Sequence, residues 1–345
     1  MKKALVILVA ALMAFAVLPV QAEGVVNVFN WEDYINPDAM ALFEEETGIK
    51  INYMRFTTNE DMMVQVRTNP AAFDVVFPSD YAIERFVKED LLMELDFSKI
   101  PNAVNTVEWL QNPSYDPEHK YSVPYMWGTV GILYDTTRVN APIDSWSALF
   151  DEAYKGEIFM LDSIRDSMGL ALKYLGYSMN TRDPAELQAA TQLLVKQKQD
   201  GLVKAYQVDE TKDKMVAGEA ILGVVWSGDA QYAINLNENL AYVVPKEGSN
   251  VWVDGMVVPK AAKNPDNAHA FIDFMSRPDV AQMNAEYIEY SSPNQAAIDL
   301  MGEEYLENPN LNPPQAVIDI CEFFGDIQDV IVIYNTLWAQ VKNAK

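Results

Sequence analysis

The chain has 345 residues, with 25 Lys and Arg against 50 Asp and Glu, a net charge of −25 that would repel nucleic-acid phosphates and argues against such a partner. Its one cysteine, Cys321, excludes an intramolecular disulfide, and its two histidines, His119 and His269, stand too far apart to suggest a transition-metal site, so no metal or cofactor is expected. The length exceeds what one core usually serves and predicts two domains.

The first element is a targeting segment. Lys2 and Lys3 precede an apolar run of 15 residues, Ala4 to Leu18, and Val20-Gln21-Ala22 supplies a cleavage site. The run is short of the roughly 20 residues that span a bilayer, so a leader cut after Ala22 is expected, releasing a free protein into the periplasm. No cysteine follows the run to carry a lipid anchor.

The mature chain opens with a strand, Val25 to Asn30, then a helix, Pro37 to Thr47, closed by Gly48. Ile49 to Phe56 reads as a second strand, Asn59 to Arg67 as a helix, and Phe73 to Phe77 as a short buried strand ended by Pro78. This β-α-β-α-β order implies a parallel sheet flanked by helices, with ligands expected where strands end. The loop after the first strand carries Trp31, Glu32 and Tyr34, and the loop after the third carries Ser79 and Tyr81. Both loops would meet at one edge and line a cleft, although Trp31 and Tyr34 also suit an ordinary aromatic core.

Ser122 to Tyr134 is strand-like and carries the chain into a second α/β region. There, Ile158 to Leu161 reads as a strand and Ser167 to Leu175 as a helix. Pro184 to Gln199 reads as a longer helix, with Asp183 as N-cap and Glu186 at a capping-box position. Ala220 to Trp226 and Leu240 to Val244 are further strands, followed by a strand over Gly255 to Val258 and a helix over Asn267 to Met275. A chain that leaves one lobe and returns crosses twice, here near 129–134 and 249–254. The expected division is an N-terminal lobe of 23–130 plus 254–300 and a C-terminal lobe of 131–253 plus 301–345.

Three aromatic–acid groupings stand out: Trp31 to Tyr34, Trp226 with Asp229, and Trp252 with Asp254. Aromatic faces attract cations and carboxylates neutralise them, so the combination points to a pocket for a small organic cation. The acidic balance would concentrate such a ligand, although it also serves solubility. Each acid has a second explanation. Asp166 would complement a helix dipole, Asp229 would cap a helix, and Asp254 before Gly255 would sit in a turn.

Several segments match in order and spacing: NWEDYI at 30–35, FDVVFPSDY at 73–81, YSVPYMWGT at 121–129, GEAILGVVWSGDA at 218–230, PKEGSNVWVDGMVVP at 245–259 and YSSPNQAA at 290–297. In these the chain resembles the periplasmic polyamine-binding proteins of ABC transporters, the spermidine/putrescine-binding type. The resemblance implies the α/β type II periplasmic-binding-protein fold with two hinged lobes. It also implies a non-enzymatic protein, a monomer by default, that cages a polyamine and docks on a membrane permease. Position by position it implies that Trp31, Tyr34, Trp226, Trp252 and Tyr290 form an aromatic cage, with Ser79 and Tyr81 on its wall. Asp254 would be an acidic anchor, Asp166 would take a second acidic role, and Asp229 would match an acid of some putrescine-preferring members. Three positions depart from the family pattern. Glu32 replaces a small hydroxyl residue, Ser163 stands where some spermidine binders have a carboxylate, and Phe324 replaces a glutamine. Competing readings are a ligand sensor of the same fold, a binder of another cation such as a quaternary amine, and a carboxylate-based hydrolase. No nucleophile–base signature supports the last.

Overall fold

Strand β1 (Gly24–Trp31) opens the part of the chain that the structure, a computed structural model, describes, namely residues 24–345. The expected leader, 1–22, lies outside the described residues. β1 pairs in parallel with β2 (Ile49–Phe56) along its whole length, Gly24 opposite Ile49 and Trp31 opposite Phe56. The helix Pro37–Thr47 joins them. Asn36 starts it by accepting the Asp38 N–H, Pro37 supplies a preset φ, and Gly48 ends it at φ 72°, a left-handed conformation that favours glycine.

β3 (Val75–Val76) lies parallel to β1 on its other side, two residues long instead of the five expected from Phe73 to Phe77. Backbone bonds to β1 continue on either side of it, from the Asp74 N–H to Asn27 O at 2.8 Å and from the Phe77 N–H to Phe29 O at 3.1 Å, and Pro78, with no N–H to give, ends the run. The Asp74 carboxylate accepts from the backbone and side-chain nitrogens of Asn27 (2.9 and 2.6 Å). It also accepts from Lys263 N (3.0 Å) and from the backbone and side chain of Asn264 (2.8 and 3.0 Å). One buried side chain thus ties β1 to Asn264, which lies 190 positions beyond Asp74 itself. Asp74→Ala leaves these donors without an acceptor and should destabilise the protein by about 3–5 kcal/mol, read as a lowered denaturation midpoint. An unchanged midpoint would refute this hub.

The remaining strands are β4 (Ser122–Asp135), β5 (Ile158–Leu161), β6 (Val203–Gln207), β7 (Leu222–Trp226), β8 (Leu240–Val243) and β9 (Val251–Val257). Their order across the sheet is β2-β1-β3-β9-β4-β7-β5-β6, with β8 also on β4. β4 is buried throughout its length. It pairs antiparallel with β9 as far as Thr129 and with β7 from Val130 onward. Its register shifts between Pro124 and Met126, where proline removes a ladder donor.

Helices cover this sheet over separate cores. Phe43, Phe77 and Phe271 pack under β1, β3 and β9, while Trp146, Leu172, Leu194 and Tyr334 pack beside β5 and β7. The C-terminal segment divides between them: Tyr305 joins a cluster with Phe29 and Val253, and the helix Ile331–Asn343 lies on the helix Pro184–Gln199. Among the described residues no helix is long and apolar enough to cross a membrane.

Other local expectations change as well: β7 starts at Leu222 and not Ala220, and the helix expected from Asn267 starts at Pro265. β9 begins at Val251, four residues before the strand expected at Gly255, because these residues pair fully with β4. The helix expected from Ser167 begins at Ile164, with Ser163 as its cap. Asp183 does cap its helix, but the capping box does not close. Glu186 instead accepts from the Thr181 hydroxyl, whose oxygen receives the Asp183 N–H.

Candidate functional site

The early start of β9 sets the geometry of the site. Trp252 and Asp254 are two residues apart on one strand and so project from the same face. Asp254 is therefore a strand residue and not a turn residue; its backbone bridges to Ser79, and its Oδ1 accepts from Ser79 Oγ at 2.6 Å. Ser79 is itself fixed by Asn59, whose amide donates to Ser79 Oγ (3.0 Å) and accepts the Ser79 N–H (3.1 Å). Burial pushes the Asp254 carboxyl up to about 7, against the opposing hydrogen bond from Ser79.

Three aromatic rings run beside this carboxylate. Tyr290 meets Tyr34 at a centroid distance of 6.0 Å and Trp252 at 4.9 Å, both edge to face. Tyr34 in turn meets Tyr125 at 5.6 Å. The Tyr34 hydroxyl is buried without a hydrogen-bond partner, as is the Trp252 indole N–H. Burial first, and then the field of Asp254, holds the Tyr34 phenol well above its ordinary pKa. Two glycines permit the approach. A Cβ at Gly228 would stand 2.5 Å from the Tyr290 ring, and one at Gly128 would stand 2.6 Å from the Trp252 ring.

Trp31 ends β1 tied down, its indole N–H donating to Phe77 O at 2.9 Å and its ring tilted on Phe56 at 4.5 Å. Trp226 ends β7, half-buried against the same core as Trp252. Tyr81 follows Ser79 on the helix Asp80–Lys88, and its hydroxyl donates to Glu60 Oε1 at 3.2 Å.

The other acids stand in different settings. Asp166, in the first turn of the helix Ile164–Tyr174, is buried, with Oδ2 accepting from Ser163 Oγ and Oδ1 unpartnered. Burial raises its carboxyl to about 6, with Ser163 and Arg165 opposing. Asp229 does not cap its helix and is already paired, accepting from Lys212 Nζ at 2.8 Å. Burial raises its pKa and Lys212 lowers it. Glu32 is not brought to the cluster: its side chain is 53% exposed and faces Arg55 at 3.1 Å.

Asp80 belongs to the group and is not among the residues expected from the sequence. It is fully buried, accepts the Tyr81 N–H at 2.6 Å through Oδ1, and leaves Oδ2 without a partner. An acid at the first position of a helix looks like a dipole complement, which conceals it in the sequence. Arg165 is also buried there, its guanidinium carbon 4.3 Å from the Phe324 ring centroid and 5.7 Å from that of Tyr81. Buried carboxylates flanked by aromatic faces bind cations: the acid supplies charge and the rings cover apolar linkers.

The chain is similar to known proteins over most of its length. A profile described as bacterial extracellular solute-binding protein matches residues 38–313. The chain is 36% identical over 316 residues to the spermidine/putrescine-binding periplasmic protein of Salmonella typhimurium, covering 91% of this chain and 90% of that one. It is 32% identical to the putrescine-binding periplasmic protein PotF of Escherichia coli, covering 97% and 96%. Among solved structures, the spermidine/putrescine ABC transporter substrate-binding protein PotD of Streptococcus pneumoniae superposes with a TM-score of 0.84 at 39% identity. It covers 92% of this chain and 98% of that one.

Proposed function

The chain belongs to the bacterial extracellular solute-binding proteins and has the type II periplasmic-binding-protein fold, and on that premise we propose that it captures a polyamine, putrescine and/or spermidine, between two lobes and delivers it to an ABC permease for uptake. The observation that carries this reading is Asp254: a buried carboxylate with no cationic side chain hydrogen-bonded to it, set beside Tyr34, Trp252 and Tyr290. An ammonium group placed there satisfies the acid, and the rings enclose the methylenes that follow. Ser79 orients Asp254, Trp31 and Trp226 complete the aromatic wall, and Tyr81, Asp166 and Asp229 serve the far end. Glu32, paired with Arg55, stays outside this set.

The N-terminal lobe, 23–130 with 254–300, would carry Trp31, Tyr34, Ser79, Tyr81, Asp254 and Tyr290. The C-terminal lobe, 131–253 with 301–345, would carry Asp166, Trp226, Asp229 and Trp252. Separate cores on the two sides of β4 support such a division. Closing the lobes then brings the two sets of side chains onto one ligand. Capture and release involve no covalent change, the protein works as a monomer in the periplasm, and the apolar leader directs it there.

Calorimetric titration of refolded, ligand-free protein with putrescine, cadaverine, spermidine and spermine tests this function. Refolding removes any amine carried through purification. One-to-one binding of putrescine or spermidine is expected. Failure of all four amines to bind would refute the polyamine reading.

A further inference from the structure

Two polar contacts join segments from opposite sides of the proposed lobe division, and both sit on elements that carry site residues. The first involves the helix Asp80–Lys88, which begins directly after Ser79 and buries Ala82, Ile83 and Phe86 in the core with Phe29 and Val257. It meets Asp326, from the C-terminal segment. Glu84 Oε2 accepts the Asp326 N–H at 2.7 Å, and Asp326 Oδ2 lies 3.2 Å from Lys88 Nζ and 3.7 Å from Arg85 Nη1. Lys88 also pairs with Glu84 at 2.7 Å, which closes the network. Asp326 is anchored on its own side as well. Arg182 Nη2 donates to Asp326 O at 2.8 Å, Arg165 Nη1 donates to Gly325 O at 3.0 Å, and Ile327 is buried in the core with Tyr334.

The second contact lies next to Tyr290. Asn235, on the helix Ser227–Leu236, donates through Nδ2 to Glu289 Oε1 at 2.9 Å. Gln231 Nε2 donates to Asn235 Oδ1 at 2.7 Å, which turns the amide so that its NH2 group faces Glu289. Glu289 ends the helix Pro278–Ile288 at φ 62°, a left-handed conformation uncommon for a residue with a side chain, and hands the chain on to Tyr290. The same helix Ser227–Leu236 sets Gly228 against the Tyr290 ring. We propose that Asp326 with Lys88, and Glu289 with Asn235, are clasps between the lobes, positioning residues that set how long the closed protein retains its ligand. Release requires the lobes to part, and parting breaks both contacts. Each clasp therefore lowers the population of the open form from which the ligand leaves, while capture by that open form needs neither.

This inference rests on the polyamine reading and concerns the rate of release. Stopped-flow tryptophan fluorescence follows capture and release of putrescine and of spermidine by the full mature protein, as wild type, Lys88→Glu, Lys88→Arg and Asn235→Asp, each ligand-free and checked for folding by circular dichroism. Lys88→Glu sets a like charge against Glu84 and Asp326. Asn235→Asp does the same to Glu289 and still accepts from Gln231. Each reversal should raise the dissociation rate ~5-fold and change the association rate by less than ~2-fold, whereas Lys88→Arg should keep the wild-type rate. Added salt screens the repulsion, so the ratio of variant to wild-type dissociation rates should fall toward unity as salt rises. Both substitutions alter exposed side chains, and should one reversal fail to fold, the other carries the test. An unchanged dissociation rate in a folded reversal would overturn the clasp it probes, as would a loss of affinity carried by slower association, or Lys88→Arg behaving as Lys88→Glu does. All three results leave the polyamine reading standing. Binding of neither amine by the wild type would overturn the polyamine reading and this inference with it.

Discussion

Asp254→Asn should weaken amine binding by some hundredfold to several thousandfold while leaving the protein folded. Removing one partner of a buried ion pair costs roughly 3–5 kcal/mol, because the other charge stays buried without a counter-ion. Here the stranded charge is the ligand's ammonium. The amide oxygen of asparagine still accepts from Ser79, which Asn59 continues to hold, so the local backbone keeps its bridge. The ligand-free variant should be at least as stable as the wild type at pH 8, since it no longer buries an unpaired carboxylate. Titration calorimetry and thermal denaturation on the same samples check both halves. Near-wild-type affinity would shift the anchoring role away from Asp254 and favour a cation held by aromatic faces alone.

Affinity for an amine should fall by about a hundredfold between pH 8 and pH 5. The Asp254 carboxyl is raised to about 7, above all by burial. At pH 8 it is ionised and ready for a cation. Below pH 7 the free protein holds a proton there, and binding must expel it, so affinity falls up to tenfold per pH unit. Asp166, raised to about 6, adds to the loss below that pH. The amine stays fully protonated across this range, since alkylammonium groups titrate near 10. The hydrogen bond from Ser79 opposes the effect of burial on Asp254, while the field of Asp254 in turn adds to burial in raising the neighbouring Asp80, Tyr34 and Tyr290.

Stability runs the other way. A carboxyl whose folded pKa lies above its unfolded value binds protons more tightly when folded. Its contribution is complete below the unfolded value near 4 and is lost as pH rises through 6 and 7. For these two groups the ligand-free protein is therefore more stable at pH 5 than at pH 8. Saturating amine should raise the melting temperature more at pH 8 than at pH 5. Affinities that are level from pH 5 to pH 8 would show that Asp254 is not the titrating anchor.

Much of the fold was legible along the chain because its causes are local. Asn36, Pro37 and Gly48 begin and end the first helix within a few residues, and the observed helix has those bounds. Apolar runs such as Ile158 to Leu161 became strands at the expected positions. β9 was misjudged because its length depends on pairing with β4, more than 120 positions away, which no local pattern reports. The family resemblance, and not the residue pattern, grouped Tyr34, Trp252 and Tyr290 with Trp31 and Trp226, and the first three meet in space.

The sequence by itself determined the composition of the site: which aromatics and acids the chain possesses, the acidic balance that favours a cation, and motifs whose order and spacing assign the family. Only the tertiary structure decided how those charges are distributed. It set Asp254 against Ser79 across 175 positions, turned Glu32 outward to Arg55, paired Asp229 with Lys212, buried Asp80, and laid Arg165 over Phe324. The reason is physical. A carboxylate's role depends on its solvation and on the nearest opposite charge, and both are fixed by chain segments that meet only when the protein has folded.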